Sequence, residues 1–479
     1  MITARAFSGK HYAVLGLARS GRATVEALLA SGARVTAWDD NEEARAALNS
    51  SPSLLGEGDH AQHGGGASNV TATAPPSALG AATSPSKLGE DLVVADFTQS
   101  DLSQFDSIVV TPGLPLNRHP IAQRAREAGV EIIGDIELFA RARPELPPHR
   151  VVGITGTNGK STTTALVHHI LKTAGVPSLM GGNIGLPILA QDSLPEGGVY
   201  VLELSSYQID LTKSLDCDVA VLLNITPDHL DRYESFDAYA ASKHRLFGMQ
   251  SSNHQAVIVD TGERAHGTYE ALSSQRGDIV YLPCGQLFDP DYGAYLGERF
   301  IQAQWPGLQG LHNADNAAAA SATAAAIGID DDNIERGLRS FSGLPHRMER
   351  VSDRDGVLFV NDSKATNPTA TAPALSAYPA IRWILGGQAK SDNLDECAPH
   401  FGHVRSAYVI GEAAERFERL LKPHMPVKNC GELAAAVKQA AADAEAGDTV
   451  LLSPACASFD QFSDFEARGD AFRAAVEGL

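Results

Sequence analysis

The sequence predicts an α/β protein with three domains, each built on a mainly parallel sheet. Short apolar runs alternate with helical segments along the chain, and this alternation is typical of parallel sheets. The chain has 479 residues, more than one ordinary domain holds. Two segments rich in proline or glycine, around Pro147 and Leu344, interrupt the alternation. We therefore expect domains at residues 1–147, 148–344 and 345–479.

The composition of the chain argues against several partners and locations. Lys plus Arg number 38 and Asp plus Glu number 58, so the formal net charge is -20. This balance argues against nucleic acid or an anionic membrane as the main partner. The cysteines form no C-x-x-C pair, as expected for reduced thiols, and no apolar run is long enough to cross a membrane. We expect a cytoplasmic monomer.

The first domain opens with a β–α–β unit. An apolar strand, His11–Leu17, runs into a glycine turn at 16–21, and a second strand leads to Asp39. The G-x-x-x-x-G turn is similar to a nucleotide-binding fingerprint, and an ordinary α/β turn is an equal alternative. From about 49 to 90 the chain is rich in Gly, Ala, Ser and Pro and has no periodicity. We expect a flexible surface insertion there.

The first domain continues with a second apolar strand that ends at Pro112 and Gly113, where backbone can approach a ligand. A helix, IAQRAREAG, and a strand, VEIIGDI, complete it.

The second domain begins with a phosphate cradle. The apolar strand VVGIT leads into a turn with Gly156 and Gly159, and Lys160-Ser161 opens a helix that stops near Gly175. In such a turn the backbone N–H groups and the helix N-terminus point at an anion, lysine adds a cation, and the serine hydroxyl can hold Mg²⁺. The spacing G-x-x-G-T-N-G-K-S differs from the standard phosphate loop. A turn that binds nothing is the alternative, but Lys-Ser in this position favours ATP.

Polar residues follow the next two strands. Glu203 ends the apolar run VYVLELSS, and His229 follows CDVAVLLNIT. The carboxyl ends of parallel strands line one crevice, so both side chains are expected near the phosphates. Glu203 there would hold a metal. By themselves, His229 and Lys243 would be an ordinary loop histidine and an exposed helix lysine.

The third domain repeats the strand–helix alternation, with strands at VLFVNDS, IRWILGG, SAYVIG and TVLLSPA. Asp362 and Lys364 follow its first strand, where they could orient a ribose and bind a carboxylate or phosphate; turn-forming residues are the alternative. Arg347, at the second domain junction, could clamp a phosphate. Ser458 and Phe465 would otherwise be a helix-start serine and a core aromatic residue.

Taken together, these residues resemble the Mur ligases, the ATP-dependent amide-forming enzymes of peptidoglycan precursor synthesis. The matching segments run in the family's order over nearly the whole chain. The last two resemble in particular the members that add D-glutamate to UDP-N-acetylmuramoyl-L-alanine. The segments are GITGTNGKSTTT, GNIGLP, LELSSYQ, NITPDHLDRY, HNADNAAAA, LPHRME, NDSKATNP, LGG and LLSPACASFDQF.

The resemblance implies a Rossmann-like first domain that binds the uridine diphosphate of the precursor. It also implies a P-loop ATPase as the central domain and a Rossmann-like third domain that binds the amino acid and closes over the nucleotide. The implied reaction passes through an acyl phosphate and yields ADP and phosphate. Lys243 matches the family lysine that CO₂ converts to a carbamate.

The resemblance also implies roles for individual residues. Catalytic roles fall to Lys160, Glu203, His229 and Lys243. The implied ligands of Mg²⁺, with Mn²⁺ as an alternative, are Ser161, Glu203, His229 and carbamylated Lys243. The implied ATP contacts are Gly156, Thr157, Asn158, Gly159, Lys160, Ser161, Thr162, Asn313, Arg347 and Asp362. The implied substrate contacts are Arg19, Ser20, Asp39, Gly113, Asn183, Gln208, Lys364, Thr366, Lys390, Ser458 and Phe465.

Three alternatives remain at this point. Another amide ligase of the family would keep the ATPase motifs, but SPACASFDQF argues against it. A folylpolyglutamate synthase would lack the first domain. A non-catalytic nucleotide-binding protein would be expected to have lost Lys160, Glu203, His229 or Lys243, and all four are present.

Overall fold

The computed structural model divides the chain into two compact units, which we describe separately. The first unit comprises residues 1–160, 176–258 and 262–280, and the second comprises 161–175, 259–261 and 281–479. The predicted insertion lies outside the described residues, apart from Asn49. The structure describes residues 1–49, 91–228, 232–260, 262–274, 278–283, 288–289, 293–294, 304–305, 307–308, 311–389 and 393–479.

The first sheet has five parallel strands in the order β3-β2-β1-β4-β5. Its helices begin and end where the sequence carries the appropriate signals: Pro120 starts the third helix, and Gly129, at φ 68°, follows its last residue. The strands are β1 (His11–Leu15), β2 (Arg34–Trp38), β3 (Leu92–Val94), β4 (Ser107–Val110) and β5 (Glu131–Ile133). The helices are α1 (Arg19–Ala30), α2 (Glu42–Asn49), α3 (Pro120–Ala128) and α4 (Asp135–Ala142).

One local prediction in this region is wrong. The run VEIIGDI was interpreted as one strand, but the strand ends at Ile133 and helix α4 begins at Asp135. Gly134 separates the two elements. Helix α4 is buried along almost its whole length, and a short apolar run does not distinguish a strand from a buried helix.

The second sheet has six strands in the order β11-β10-β9-β6-β8-β7, and β6 to β10 are parallel. Strands β7 and β10 were not predicted. The strands are β6 (His149–Thr155), β7 (Ser178–Gly182), β8 (Gly198–Glu203), β9 (Val219–Leu222), β10 (Gln255–Asp260) and β11 (Ile279–Pro283), followed by the antiparallel pair β12 (Phe288–Asp289) and β13 (Gly293–Ala294). The helices are α5 (Lys160–Thr173), α6 (Ser206–Asp210), α7 (Phe236–Gly248), α8 (Glu263–Ser273), α9 (Leu311–Ala326) and α10 (Asp331–Ser340).

The third sheet has six strands in the order β14-β15-β19-β16-β17-β18 and is parallel except at β14, which pairs antiparallel with β15. The two edge strands, β14 and β18, were not predicted. The strands are β14 (Glu349–Arg354), β15 (Val357–Asn361), β16 (Ile381–Gly386), β17 (Val404–Ile410), β18 (Val427–Gly431) and β19 (Thr449–Leu452). The helices are α11 (Pro368–Ser376), α12 (Ala414–Leu421), α13 (Leu433–Asp443) and α14 (Phe465–Glu477).

Both faces of the third sheet are covered. Trp383 and Leu451 pack into one apolar cluster, and their chain neighbours Ile384 and Leu452 pack into another. Because successive side chains of a strand point to opposite faces, this alternation places a core on each side of the sheet. The predicted mainly parallel sheet of the third domain is confirmed.

The three large sheets follow one another in the chain. The predicted domain borders near Pro147 and Leu344 fall between the last strand of one sheet and the first strand of the next. The borders themselves stay predictions. Across the described ranges, none of the helices has both the length and the apolar character needed to cross a membrane.

Candidate active site

The loop between β6 and α5 has the geometry of an anion cradle. Gly159 has a φ of 81°, in the left-handed region that favours glycine. Asn224, two residues after β9, fixes the loop: its Oδ1 accepts the N–H groups of Thr157 (3.1 Å) and Asn158 (2.8 Å). Its Nδ2 donates to the carbonyl of Asn158 at 3.1 Å. The amides of the loop are therefore held in place by the side chain of Asn224, which was not among the predicted site residues.

Lys160, the first residue of α5, folds back over this loop. Its Nζ donates to the carbonyl oxygens of Gly156 (3.0 Å) and Thr157 (2.7 Å). Ser161 and Thr162 follow it in the chain, and both are buried. The ammonium thus lies at the helix start, where backbone N–H groups and the helix dipole also favour negative charge.

Glu203 occupies the carboxyl end of β8, next to β6 in the sheet. Its side chain is 2% exposed. Oε1 accepts a hydrogen bond from Asn183 Nδ2 at 3.0 Å, whereas Oε2 is buried and has no hydrogen-bond partner among the described residues. A buried carboxylate oxygen without a partner is costly, and a cation would satisfy it.

The approach of β7 to Glu203 requires a glycine. Gly182 ends β7 with a φ of 86°, and a Cβ at this position would lie 2.1 Å from the carbonyl oxygen of Glu203. Asn183, the next residue, donates its backbone N–H to the same carbonyl at 2.8 Å. Asn183 therefore contacts Glu203 through both its backbone and its side chain, and its role as a substrate contact stays a prediction.

Lys243 is buried on α7, not exposed as the helix pattern alone would have it. Its side chain is 1% exposed, its Nζ donates to the carbonyl of Gly156 at 2.8 Å, and the Nζ lies 4.7 Å from the centre of the Tyr239 ring. Burial, and then the charge of Lys160, lower the pKa of Lys243 to about 7. A large share of this amine is therefore neutral near pH 7.

Tyr239 connects this lysine to the phosphate loop. Its hydroxyl lies 3.1 Å from Thr157 Oγ1, which also donates to the carbonyl of Thr226 at 3.1 Å. Burial raises the pKa of Tyr239 to about 12, so the phenol stays protonated at neutral pH. Lys160, Lys243 and the loop from Gly156 to Asn158 thus form one contiguous cluster in the first unit.

The first-sheet candidates lie at the carboxyl ends of their strands. Asp39, after β2, accepts the N–H of Leu17, after β1, at 2.6 Å. Arg19 donates to the carbonyl of Gly185 at 3.2 Å. Gly113, after β4, accepts from Arg232 at 3.1 Å. Because β1, β2 and β4 are adjacent and parallel, the structure brings these ends to one edge of the sheet.

Two further candidates have local hydrogen bonds. Ser20 accepts a bond from the hydroxyl of Thr24 through its carbonyl, at 2.9 Å. Gln208 is buried in a capping box at the start of α6: its Oε1 accepts the N–H of Ser205 at 3.1 Å, and its own N–H donates to Ser205 Oγ at 3.2 Å. The side-chain oxygen of Gln208 is thus already engaged in capping.

In the second unit, Asn313 belongs to a buried polar row. Asn316 Nδ2 donates to Asn313 Oδ1 at 3.1 Å, and Thr163 Oγ1 donates to Asn316 Oδ1 at 3.2 Å. All three residues are buried. The row ties helix α9 to helix α5.

Asp362 lies directly after β15 and is buried. It accepts hydrogen bonds from Ser453 Oγ at 2.8 Å and from the N–H of Met348 at 3.2 Å. Burial raises its pKa to about 7, against the opposing influence of Arg347. Arg347 Nε is buried and lacks a hydrogen-bond partner within the described part of the chain. A polar ligand atom at Arg347 would relieve this deficit.

The remaining third-sheet candidates surround the segment after β15. Lys364 Nζ lies 5.5 Å from the centre of the Phe465 ring, and Ser458 is buried. Thr366 donates its N–H to the carbonyl of Lys364 at 2.9 Å. Lys390 and His229 lie outside the described residues, so their positions stay predictions.

Arg468 connects the segments of the same region, and it was not among the predicted site residues. It is 1% exposed and donates to Ser363 Oγ (2.9 Å) and to the carbonyls of Ser363 (2.8 Å), Cys456 (3.1 Å) and Ala457 (3.3 Å). It therefore joins the two segments, NDSKATNP and SPACASFDQF, that carry the predicted amino-acid contacts. In the sequence Arg468 is one charged residue of a helix and gives no signal of burial.

A preassembled metal cage is absent from the part of the chain that the structure describes. No group of three or more His, Cys, Asp or Glu side chains there is arranged to hold an ion. Glu203, with its unpartnered oxygen, is the described group that fits a cation best. Among the described residues, further ligands would come from a hydroxyl or a modified side chain, and the predicted ligand His229 lies outside them.

Comparison with known proteins covers most of the chain. A family model described as the Mur ligase middle domain matches residues 154–324, and one described as the Mur ligase glutamate ligase domain matches 346–456. The UDP-N-acetylmuramoylalanine–D-glutamate ligase of Novosphingobium aromaticivorans is 56% identical over 479 residues, covering 100% of this chain and 97% of that protein. The protein of the same name from Sphingopyxis alaskensis is 54% identical, with 100% of both chains covered.

Solved structures are similar in fold at low identity. UDP-N-acetylmuramate–alanine ligase from Thermotoga maritima aligns with a TM-score of 0.56 at 16% identity, over 98% of this chain and 99% of that one. The MurF ligase from Thermotoga maritima in complex with ADP aligns with a TM-score of 0.52 at 17% identity, over 80% and 92%. These likenesses concern the fold alone.

Proposed function

We propose that this chain, which belongs to the Mur ligase family, joins D-glutamate to UDP-N-acetylmuramoyl-L-alanine and converts ATP to ADP and phosphate. Full-length identity of 56% to a relative with this named activity supports the choice of amino acid. The observation that carries the chemistry is the buried amine of Lys243, which donates to the Gly156 carbonyl of the phosphate loop.

ATP is assigned to the loop Gly156–Gly159 with Lys160, Ser161 and Thr162. The loop amides, fixed by Asn224, provide donors, and the Lys160 ammonium provides charge. A phosphate oxygen would replace the carbonyl oxygens that Lys160 now contacts, because an anion is the stronger partner for an ammonium group. Asn313, Arg347 and Asp362 stay assigned to ATP by the family resemblance.

Mg²⁺, or Mn²⁺, fits the oxygen donors of this region. Glu203 offers its unpartnered Oε2, and the hydroxyl of Ser161 is assigned to the same ion by resemblance. These are hard oxygen ligands of the kind that both ions prefer. When bound, the ion would offset phosphate charge. His229 is assigned to the same role by resemblance.

Carbamylation of Lys243 is the third part of the proposal. The neutral amine attacks the carbon of CO₂, a nitrogen–carbon bond forms, and a proton leaves to solvent. Only the unprotonated amine can react, and a pKa of about 7 makes that form abundant at neutral pH. The product replaces a buried cation with an anionic oxygen ligand.

The reaction then follows from leaving-group chemistry. An oxide is too poor a leaving group for a carboxylate to form an amide directly. The carboxylate of the substrate's L-alanine attacks the γ-phosphorus, which gives an acyl phosphate and ADP. The amine of D-glutamate attacks the acyl carbon, and phosphate leaves with the electron pair. Lys160 stabilises the negative charge as it develops on the phosphate oxygens.

The three predicted domains divide the substrates among them. Residues 1–147 are assigned to the uridine diphosphate moiety, through Arg19, Ser20, Asp39 and Gly113. Residues 148–344 are assigned to ATP, with Asn183 and Gln208 near the reacting groups. Residues 345–479 are assigned to D-glutamate. The assigned D-glutamate contacts are Thr366, Lys390, Ser458 and Phe465, and Lys364 is assigned to a substrate carboxylate or phosphate.

The choice of amino acid is tested by phosphate release. Purified protein is given ATP, Mg²⁺ and UDP-N-acetylmuramoyl-L-alanine, together with D-glutamate, L-glutamate, L-alanine or meso-diaminopimelate. We expect turnover with D-glutamate alone. Turnover with another of these amino acids would show that a different ligase of the family is the correct assignment.

A further inference from the structure

Arg232 joins the first sheet to the phosphate-loop region of the first unit. Its Nη1 donates to the carbonyl of Gly113 at 3.1 Å, and its Nη2 donates to the carbonyls of Leu114 at 2.7 Å and Pro112 at 3.4 Å. One guanidinium thus collects three successive carbonyls of the turn after β4. Residues 112 and 232 are 120 positions apart in the chain, so no local signal predicts the contact.

The same guanidinium lies on a row of aromatic rings. Its Cζ is 4.2 Å from the centre of the Tyr207 ring, and Tyr207 stacks on Tyr233 at 6.0 Å with an angle of 16°. Tyr233 in turn meets Tyr239 edge-on at 5.4 Å. We call Tyr207, Tyr233 and Tyr239 the tyrosine row. The face of an aromatic ring attracts a guanidinium, so the row fixes the plane of Arg232.

The far end of the tyrosine row is anchored at the active-site cluster. The Tyr233 hydroxyl donates to Asp210 Oδ2 at 2.8 Å, and Tyr239 contacts both Thr157 and Lys243. The turn after β4 is therefore connected through packed groups to the loop that holds the phosphates. Within the turn, the Leu114 N–H donates a backbone hydrogen bond to the Thr111 carbonyl at 3.0 Å.

We propose that Arg232 is a positioning residue that holds the turn Pro112–Leu114 in a fixed position relative to the phosphate loop. The proposal rests on the proposed function, in which this turn contacts the UDP-linked substrate. A guanidinium suits the task because its planar fork holds several donors in fixed directions, whereas the donors of an ammonium rotate at the end of a flexible chain. Without Arg232, the three carbonyls lose their common donor and the turn gains freedom.

The kinetic test compares Arg232→Met and Arg232→Lys with the wild type. Met keeps an apolar stem against Tyr207 and removes every donor; Lys keeps the charge. We expect Arg232→Met to raise the KM for UDP-N-acetylmuramoyl-L-alanine roughly 10-fold, with the KM values for ATP and D-glutamate changed less than about twofold. Arg232→Lys should fall between. Arg126→Met, an exposed arginine on α3, is the matched control and should behave as wild type.

A second readout does not depend on activity. Hydrogen–deuterium exchange of the ligand-free protein should be faster at the amides of Gly113, Leu114 and Leu116 in Arg232→Met than in the wild type, with the amides of β4 unchanged. Unchanged exchange in the turn, or an equal rise in all three KM values, would overturn the positioning role. If the wild type itself fails to turn over, the proposed function fails, and the exchange result still decides whether Arg232 holds the turn.

Discussion

Burial makes Lys243 chemically unlike an ordinary helix lysine. Its Nζ shares the Gly156 carbonyl with Lys160, and both burial and this second cation disfavour the protonated form. The helix pattern around Lys243 did not predict this, because the burying groups come from the phosphate loop far away in the sequence. The family resemblance did point to the residue, and the structure supplies a physical reason for its reactivity.

Removal of Lys243 should abolish activity in a way that added carboxylates repair. Lys243→Ala is expected to be nearly inactive, because it loses the oxygen ligand that the proposed carbamate would provide. Short-chain carboxylates such as acetate should restore part of the rate by occupying the vacated space. Phosphate release measured across a series of acetate concentrations checks this. Wild-type rates from the variant without acetate would remove the assigned role.

The same residue predicts a pH-dependent stability difference. The folded pKa of Lys243 lies near 7, below its ordinary value, so the unfolded state binds more protons between those two values. The cost of burying the charge is fully present below pH 7 and fades as pH rises. In CO₂-free buffer Lys243→Met should therefore be more stable than wild type by about 2 kcal/mol or more at pH 6, and the gain should shrink by pH 9. Denaturant unfolding at both pH values measures it, and an equal gain at both would contradict the pKa argument.

At the scale of elements, the phosphate loop depends on a neighbouring strand. Asn224 binds two N–H groups and one carbonyl of the loop. Asn224→Ala should raise the KM for ATP about 10-fold, because the loop amides that would bind the phosphates are no longer held in place. Initial rates of ADP release give the value. An unchanged KM for ATP would mean that the loop holds its shape without this side chain.

The third sheet contains a comparable connection. Arg468 supplies donors to the segments after β15 and β19. In Arg468→Met the carbonyls of Ser363 and Cys456 would lose this donor, whereas the carbonyl of Ala457 keeps the N–H of Gln388 at 2.9 Å. We expect a loss of about 3 kcal/mol in unfolding free energy, since a buried acceptor without a donor is costly. Urea unfolding followed by tryptophan fluorescence, sensitive to Trp383 in β16, measures it. A change below about 0.5 kcal/mol, the range of ordinary surface substitutions, would argue against the role.

Most central strands were predictable, and three edge strands, β7, β14 and β18, were not. The division is incomplete, because the interior strand β10 was also missed and the edge strand β5 was predicted. The central strands β6, β8, β16 and β19 are continuous apolar runs with polar residues at their ends, and the sequence predicts them. Strands β7, β14 and β18 are rich in glycine or charge because one side of each faces no further strand. Edge strands carry weak hydrophobic patterns for this reason. The start of helix α4 was wrongly predicted as part of a strand, because its short apolar run is compatible with a strand or a buried helix.

For the whole molecule, the sequence predicted the order and type of the three sheets and most of the residues in the phosphate cluster. It could not predict the residues that act across long chain separations. Asn224, Arg232 and Arg468 each bind backbone carbonyls or amides of distant segments, and such contacts leave no periodic or spacing signal. Asn224 and Arg232 lie in the family-like segment NITPDHLDRY, and Arg468 lies in none of the matching segments. The structural roles of all three are recognisable only by their contacts.

The central claim, amide formation through an acyl phosphate, is tested most directly by following oxygen. UDP-N-acetylmuramoyl-L-alanine is prepared with ¹⁸O in the alanine carboxylate and turned over with ATP and D-glutamate. The released phosphate is then analysed by mass spectrometry. Our account predicts one ¹⁸O in each phosphate, because a carboxylate oxygen bridges to phosphorus and leaves with it. Unlabelled phosphate from a reaction that forms the amide would contradict it.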